Sequence, residues 1–155
     1  MISLLLSLYH SLFVSQLRYG LVIWGGGPTF NMQRVLLIQK RAIRVLSKLK
    51  RRSSCREAFV NLNLLTVPSM YILDVVRTAG EVSSRVTRHC DDYFIQPYRL
   101  NTSRCNPQQA GLYLYNHLPG NLKLLSNKNN FHSELRKFLV SGCFYSVEEF
   151  INRVS

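Results

Sequence analysis

Two adjacent aspartates, Asp91 and Asp92, are the side chains of this sequence that most resemble a site for metal-dependent chemistry. Polymerases use clustered carboxylates to hold two divalent ions around the phosphoryl group that is transferred. Reverse transcriptases place an aromatic residue two positions before such a pair of aspartates, and this chain has His89 there. We therefore interpret Asp91 and Asp92 as loop acids, and we expect no catalytic residue and no enzymatic activity.

The cysteines and histidines form no recognisable nucleophilic or redox motif. The four cysteines are too widely spaced for a Cys-x-x-Cys pattern: Cys55, Cys90, Cys105 and Cys143. A zinc site would have to combine His89, Cys90, Cys105 and His117. The separations of 14 and 11 residues within that set match no compact ligand pattern. We expect reduced cysteines and neither a metal nor another cofactor.

The strongest chemical feature is a basic helix that we predict from about Asn31 to Leu49, with Thr29 or Asn31 as its cap. At about 100° per residue, one side is apolar: Val35, Leu36, Ala42, Ile43, Leu46 and Leu49. If the helix continues to its basic end, seven cations share an arc of about 120° on the other side: Arg34, Lys40, Arg41, Arg44, Lys48, Arg51 and Arg52.

This basic arc predicts a surface that binds phosphates. The helix contains no Asp or Glu, so its like charges repel one another at one-turn spacing. A polyanion relieves that repulsion, and its binding is sensitive to salt and independent of base sequence. Two other interpretations stay open, a merely solvated face and an anionic membrane surface. The predicted apolar side carries neither Trp nor Phe, which disfavours the membrane.

The composition also indicates an anionic partner. The 155 residues are 46% hydrophobic, enough for one domain with a buried core, and the net charge of +12 favours an anionic partner. Ten of the twenty basic residues precede Glu57, the first acidic residue. From Glu57 onwards ten basic and eight acidic residues nearly cancel, so positive potential is concentrated in the first third of the chain.

The opening apolar segment predicts a helix from about Ile2 to Arg18 and not a signal peptide. No basic segment precedes it, and polar residues interrupt it before a membrane-spanning length is reached. Its apolar residues recur at helical spacing and predict one buried face: Leu5, Leu8, Tyr9, Leu12 and Phe13. We expect an intracellular protein, cytoplasmic or nuclear, without membrane contact.

The remaining pattern predicts a mainly α fold, a small helical bundle with an irregular linker and a smaller C-terminal helical segment. A short helix follows Ser53 or Ser54, and a longer one starts near Pro68 and extends towards Val86 with an apolar stripe: Met70, Leu73, Val75 and Val76. Further helical or turn segments are predicted at 112–118, 129–140 and 148–150. The chain divides into a basic helical region at 1–90, a linker at 91–109 and a C-terminal segment at 110–155.

The order of several short motifs resembles one family. Leu17-Arg18-Tyr19-Gly20 followed by Trp24-Gly25 resembles the segment after the catalytic palm of Jockey-like and related non-LTR retrotransposon reverse transcriptases. Residues 37–46 look like that family's Leu-Gln-x-x-Ala-hydrophobic-Arg helix, and residues 62–67 like the short hydrophobic segment after it. The resemblance covers nearly the whole chain and is most specific between Tyr9 and Val76.

The C-terminal half continues the resemblance with weaker motifs. Residues 98–104 are similar to a His/Tyr-x-Thr-Arg stretch, and residues 114–119 to a Trp-Asn-x-Leu-Pro motif in which Tyr115 replaces the Trp. Phe131 with residues 135–139 resembles the family's final helix. The family's fingers and palm have no counterpart in this sequence.

The resemblance implies the thumb and post-thumb region of an RNA-directed DNA polymerase, which holds the primer–template duplex beside a separate active site. On this hypothesis the seven cations bind RNA or an RNA–DNA duplex through phosphates. The expected protein partner is a palm and fingers region or a second copy of this chain. The alternative is a small co-opted protein-interaction module with no nucleic-acid role, whose first helix is an apolar interface.

Overall fold

The computed structural model describes residues 2–82, 92–95, 106–125 and 130–154, and these are mainly helical, as predicted. The described part of the chain contains no helix that is both long and apolar enough to span a bilayer. Several predicted features lie outside these residues, namely Val86, His89 to Asp91, Cys105 and the whole 98–104 motif.

The first predicted helix is confirmed in its extent, but its buried face is wrong. It consists of α1 (Ile2–Leu8), a π-helical segment (Tyr9–Val14) and α2 (Ser15–Arg18), and α3 (Leu21–Trp24) follows. Tyr9 is buried, whereas Leu5, Leu8 and Leu12 are exposed. The apolar stripe is wider than the contact that this helix makes with its neighbours, so only one flank of the stripe is covered.

The basic helix is α4 (Thr29–Leu46), which ends three residues before the predicted end. Pro28 precedes it and no side chain caps it, so the predicted Thr29 or Asn31 cap is wrong. At its other end Lys48 has a left-handed backbone with φ of 51°. The Leu49 N–H donates to the Arg44 carbonyl at 2.9 Å and the Lys48 N–H to the Val45 carbonyl at 3.3 Å. This is a Schellman motif, which terminates a helix.

The next two helices place the centre of the fold. The predicted short helix is confirmed as α5 (Arg56–Asn61), and it ends in the same way as α4, with Asn63 in the left-handed region at φ 52°. The helix predicted from Pro68 is α6 (Val67–Val82), and its predicted apolar stripe is buried. Helices α3 and α4 both pack on α6.

The C-terminal helices also pack around α6. They are α7 (Pro107–Asn116), α8 (Gly120–Lys123), α9 (Phe131–Gly142) and α10 (Val147–Val154). Helix α7 begins inside the stretch predicted to be irregular, because Asn106 caps it by accepting a hydrogen bond from the Gln108 N–H at 3.1 Å. One hydrophobic cluster contains residues of α3, α4 and α6 to α10. The division at 91–109 stays a prediction.

Gly111 explains why α6 and α7 approach so closely. A Cβ atom at this position would lie 2.2 Å from the Val75 carbonyl oxygen and 2.6 Å from the Ala79 side chain. Only glycine therefore permits the backbones of the two helices to meet at this point. This contact fixes the C-terminal helices against the part of the chain that holds α4.

A buried glutamine fixes the orientation of α4. Gln39 is fully buried, and its Nε2 donates to the Tyr9 hydroxyl and to the Leu65 carbonyl, both at 2.8 Å. Its Oε1 accepts from the Val67 N–H at 2.9 Å. One side chain thus joins the first helix, α4 and the start of α6. Burial raises the pKa of Tyr9 to about 12, so its hydroxyl stays neutral in this network.

We predict that Gln39→Met lowers the free energy of unfolding by about 3 kcal/mol or more, because a buried carbonyl and a buried N–H lose their partners. Urea denaturation followed by circular dichroism measures this loss. Gln33→Met is the matched control, since Gln33 is an exposed residue of the same helix. Equal stability of the two variants would contradict the role assigned to Gln39.

Candidate nucleic-acid interface

The structure separates the seven predicted phosphate-binding cations into three groups. Arg34 and Arg41 project from the outer side of α4, and Lys48, Arg51 and Arg52 lie in the turn that follows. Lys40 and Arg44 are partly buried. The prediction that all seven lie on one continuous helical face is wrong, because α4 ends at Leu46.

The basic turn, which we define as Lys48, Lys50, Arg51 and Arg52, is the densest group of positive charge described. All four side chains are exposed, and the Ser53 N–H closes the turn on the Lys50 carbonyl at 3.0 Å. The sequence prediction missed Lys50 because a continued helix would direct it to the apolar side. The left-handed residue Lys48 redirects the chain, so that Lys50 joins its neighbours at the surface.

Lys40 is partly buried and contacts an aromatic ring. Its Nζ lies 3.4 Å from the centroid of the Tyr145 ring, and the Arg56 guanidinium carbon lies 4.2 Å from the same centroid. Burial lowers the pKa of Lys40, and the nearby positive charges of Arg44 and Arg56 lower it further. Lys40 therefore joins α4 to the residues before α10, and its contact with phosphate stays a prediction.

Arg44 also turns inwards. Its Nη2 donates to the Ser53 carbonyl at 3.4 Å, and its Nε is buried without a hydrogen-bond partner. The guanidinium thus spans the turn between α4 and α5 and stabilises it from the inside. Part of this guanidinium is thus engaged within the protein, and the predicted contact of Arg44 with phosphate stays a prediction.

The outer side of α4 is not uniformly cationic, contrary to the sequence prediction. Four large apolar side chains are exposed beside Arg34 and Arg41. They are Phe30, Leu37, Ile38 and Val45, with 63%, 56%, 53% and 78% of their surface accessible. The sequence prediction placed the buried side at the most continuous apolar arc of the helix. It described the opposite side by its charged residues alone and so missed the apolar residues there.

Ion pairs among the described residues lie away from the basic turn. Asp74 pairs with Arg18, and the distance from Arg18 Nε to Asp74 Oδ2 is 3.1 Å. The other pairs are Glu149 with both Arg56 and Arg153, Asp92 with Lys123, and Glu134 with Lys137. None of the described carboxylates pairs with the basic turn, Arg34 or Arg41. Their positive charge is therefore available to an external anion.

The structure describes only part of the other predicted sites. Asp92 lies in a non-helical segment, as expected of a loop acid, and its Oδ1 contacts Lys123 Nζ at 2.6 Å. Of the four residues weighed as zinc ligands only His117 is described, and its Nδ1 lies 2.8 Å from the Tyr113 carbonyl oxygen. No group of three potential metal ligands occurs within the described ranges.

The two described cysteines, Cys55 and Cys143, are both buried as free thiols. Burial raises the pKa of Cys143 to about 11, although Arg56 opposes this effect. The thiol is thus protonated at neutral pH and is a poor nucleophile.

No protein family, curated protein or solved structure matches this chain.

We predict that Lys40→Gln leaves binding to heparin, a generic polyanion, nearly unchanged, whereas Lys48→Gln weakens it. The two substitutions remove one charge each, and they differ in that Lys40 is packed on Tyr145 while Lys48 is exposed. Elution from a heparin column in a salt gradient measures the difference. Earlier elution of the Lys40 variant than of the Lys48 variant would show that the exposed turn is not the polyanion site.

Proposed function

We propose that this chain is a non-catalytic, backbone-binding fragment of a retrotransposon RNA-directed DNA polymerase. In this proposal the basic turn binds phosphates of RNA or of an RNA–DNA duplex, and Arg34 and Arg41 add positive charge beside it. The observation that carries the proposal is the basic turn, with four exposed cations within five residues and no described carboxylate partner.

The physical basis is the release of counterions. Each phosphate that a lysine or arginine neutralises frees condensed cations, and binding therefore weakens steeply as salt rises. The basic turn suits this task because its four cationic side chains are all exposed within five residues of chain. Phosphate contacts carry no base information, so the proposal implies binding without sequence preference.

The link to a retrotransposon polymerase depends on the motif resemblance. Helices occur at three of its motifs: Ile38 to Arg44 lies in α4, Leu114 to Asn116 in α7 and residues 135–139 in α9. Gln39, the glutamine of the Leu-Gln-x-x-Ala pattern, is the fully buried residue that orients α4. A helical scaffold that displays a basic turn is compatible with a thumb that holds a duplex for an active site on another segment.

We predict that Arg51→Glu with Arg52→Glu weakens binding to a duplex of arbitrary sequence and lowers the slope of log affinity against log salt by about 1 for each lost contact. Fluorescence anisotropy at several salt concentrations measures both effects. RNA, RNA–DNA and DNA duplexes compared in parallel show which polymer is preferred.

The control for this double variant is Arg77→Glu with Lys137→Glu, which changes the net charge equally at two exposed positions in α6 and α9. We expect the control to lose much less affinity than the Arg51 and Arg52 variant. If both variants lose the same amount, the attraction comes from net charge alone and the basic turn is not a site.

A second candidate function, a protein-interaction module, is favoured by the exposed leucines of the first helix. Leu4, Leu8 and Leu12 expose 66%, 47% and 69% of their surface at four-residue spacing. Contiguous exposed apolar surface of this kind is typical of an interface. This row of exposed leucines, which we call the leucine seam, contains no charged residue that would repel a second copy.

This second candidate predicts self-association through the first helix. Leu8→Ser with Leu12→Ser should reduce the mass measured by light scattering, because it removes apolar surface from the seam. Val60→Ser with Leu124→Ser is the control, since both residues are exposed elsewhere. A parent chain that is monomeric at high concentration would contradict self-association through this seam.

A further inference from the structure

The outer side of α4 combines charge and apolar surface in an ordered pattern. We name it the mixed face, and it consists of Phe30, Arg34, Leu37, Ile38, Arg41 and Val45. At about 100° per residue, Arg34 and Arg41 form a central column. Phe30 and Leu37 lie on one side of this column, and Ile38 and Val45 lie on the other.

The spacing within each column is seven residues, or about 10.5 Å along the axis. A second helix laid along α4 presents its own side chains at the same interval, which is the basis of helix pairing in coiled coils. The Arg34 guanidinium carbon lies 5.5 Å from the centroid of the Phe30 ring, so this cation is already held against its apolar neighbour. The columns of the mixed face therefore have the spacing at which a packed helix presents its side chains, and they combine charge with apolar surface.

Nucleic acid does not account for the whole mixed face. A phosphate backbone can neutralise Arg34 and Arg41, but it offers no apolar surface to cover Leu37, Ile38 and Val45. The basic turn differs in this respect, because its four residues are all cationic. The two surfaces therefore favour different partners.

A second copy of the mixed face is disfavoured as the partner by charge. Two such faces packed together would oppose arginine to arginine, and the face contains no carboxylate to relieve the repulsion. The complementary surface has a central column of carboxylates between two apolar columns.

We propose that the mixed face of α4 binds an acidic amphipathic helix of another protein, with Glu or Asp at seven-residue spacing opposite Arg34 and Arg41. Apolar side chains of the partner cover Phe30 with Leu37 on one side and Ile38 with Val45 on the other. In this mode of binding one helix lies along another, and both charged and apolar side chains contribute to recognition. The proposal does not depend on phosphate binding by the basic turn.

The test uses synthetic helices of about five turns, the length of α4. One labelled peptide carries Glu at seven-residue spacing between Leu columns, a second has Gln at those positions, and a third has Lys. We expect the Glu peptide to bind at least about tenfold more tightly than the Gln peptide at low salt, measured by anisotropy. Equal affinity of the Glu and Gln peptides would overturn the proposal.

Charge exchange makes the test specific to this face. The Arg34→Glu with Arg41→Glu variant should no longer bind the Glu peptide and should bind the Lys peptide. Leu37→Ser with Val45→Ser should weaken binding of the Glu peptide to the parent and, when added to the charge-exchanged variant, binding of the Lys peptide. All four residues are exposed, and circular dichroism checks that each variant remains folded. If the Arg34→Glu with Arg41→Glu variant fails to bind the Lys peptide, the proposal is wrong.

Two further measurements separate this proposal from the other surfaces. The Arg51 and Arg52 variant should bind the Glu peptide as the parent does, even where its duplex binding is lost. Vesicles of phosphatidylcholine with phosphatidylserine provide an anionic apolar surface without a helix. If these vesicles compete with the Glu peptide and the Arg34 and Arg41 variant abolishes their binding, the face recognises a lipid surface and the helix proposal is wrong.

Discussion

The hydrogen bonds of Gln39 are the constraint on which the rest of this structure depends. A buried amide must satisfy both its donors and its acceptor, and Gln39 does so through Tyr9, Leu65 and Val67. Because these partners come from two separate segments, the first helix and the start of α6, α4 has only one rotation about its axis that satisfies them. That rotation brings Lys40 next to Tyr145 and turns Arg34 and Arg41 to the surface.

The end of α4 then decides where the remaining charge lies. A longer helix would distribute the following basic residues around its axis, with Lys50 on the buried side. The left-handed backbone of Lys48 and the Schellman hydrogen bonds end the helix first, and the four cations are exposed together. Arg44 contacts the far end of this turn at the Ser53 carbonyl. Charge density at the surface is thus a consequence of backbone termination.

These two features also mark the limit of prediction from the sequence. Helices could be predicted because apolar residues recur at helical spacing, and the stripe of α6 from Met70 to Val76 is buried as expected. The wheel of α4 could not identify Gln39 as a core residue, since its burial depends on partners 26 to 30 residues away in sequence. Nor does any glycine signal the end of the helix, because a lysine takes the left-handed position that glycine usually occupies.

The apolar residues on the outer side of α4 were visible in the sequence but had no weight in an argument from charge. Leu37, Ile38 and Val45 alternate with Arg34 and Arg41, and a purely electrostatic surface has no use for them. The structure separates two chemistries that the sequence places in one basic segment. If the two surfaces bind as proposed, salt weakens the contacts of the basic turn with a polyanion far more than it weakens apolar contacts along α4, because it screens charge. A single helix can thus offer a salt-sensitive surface at its end and a less sensitive one on its side.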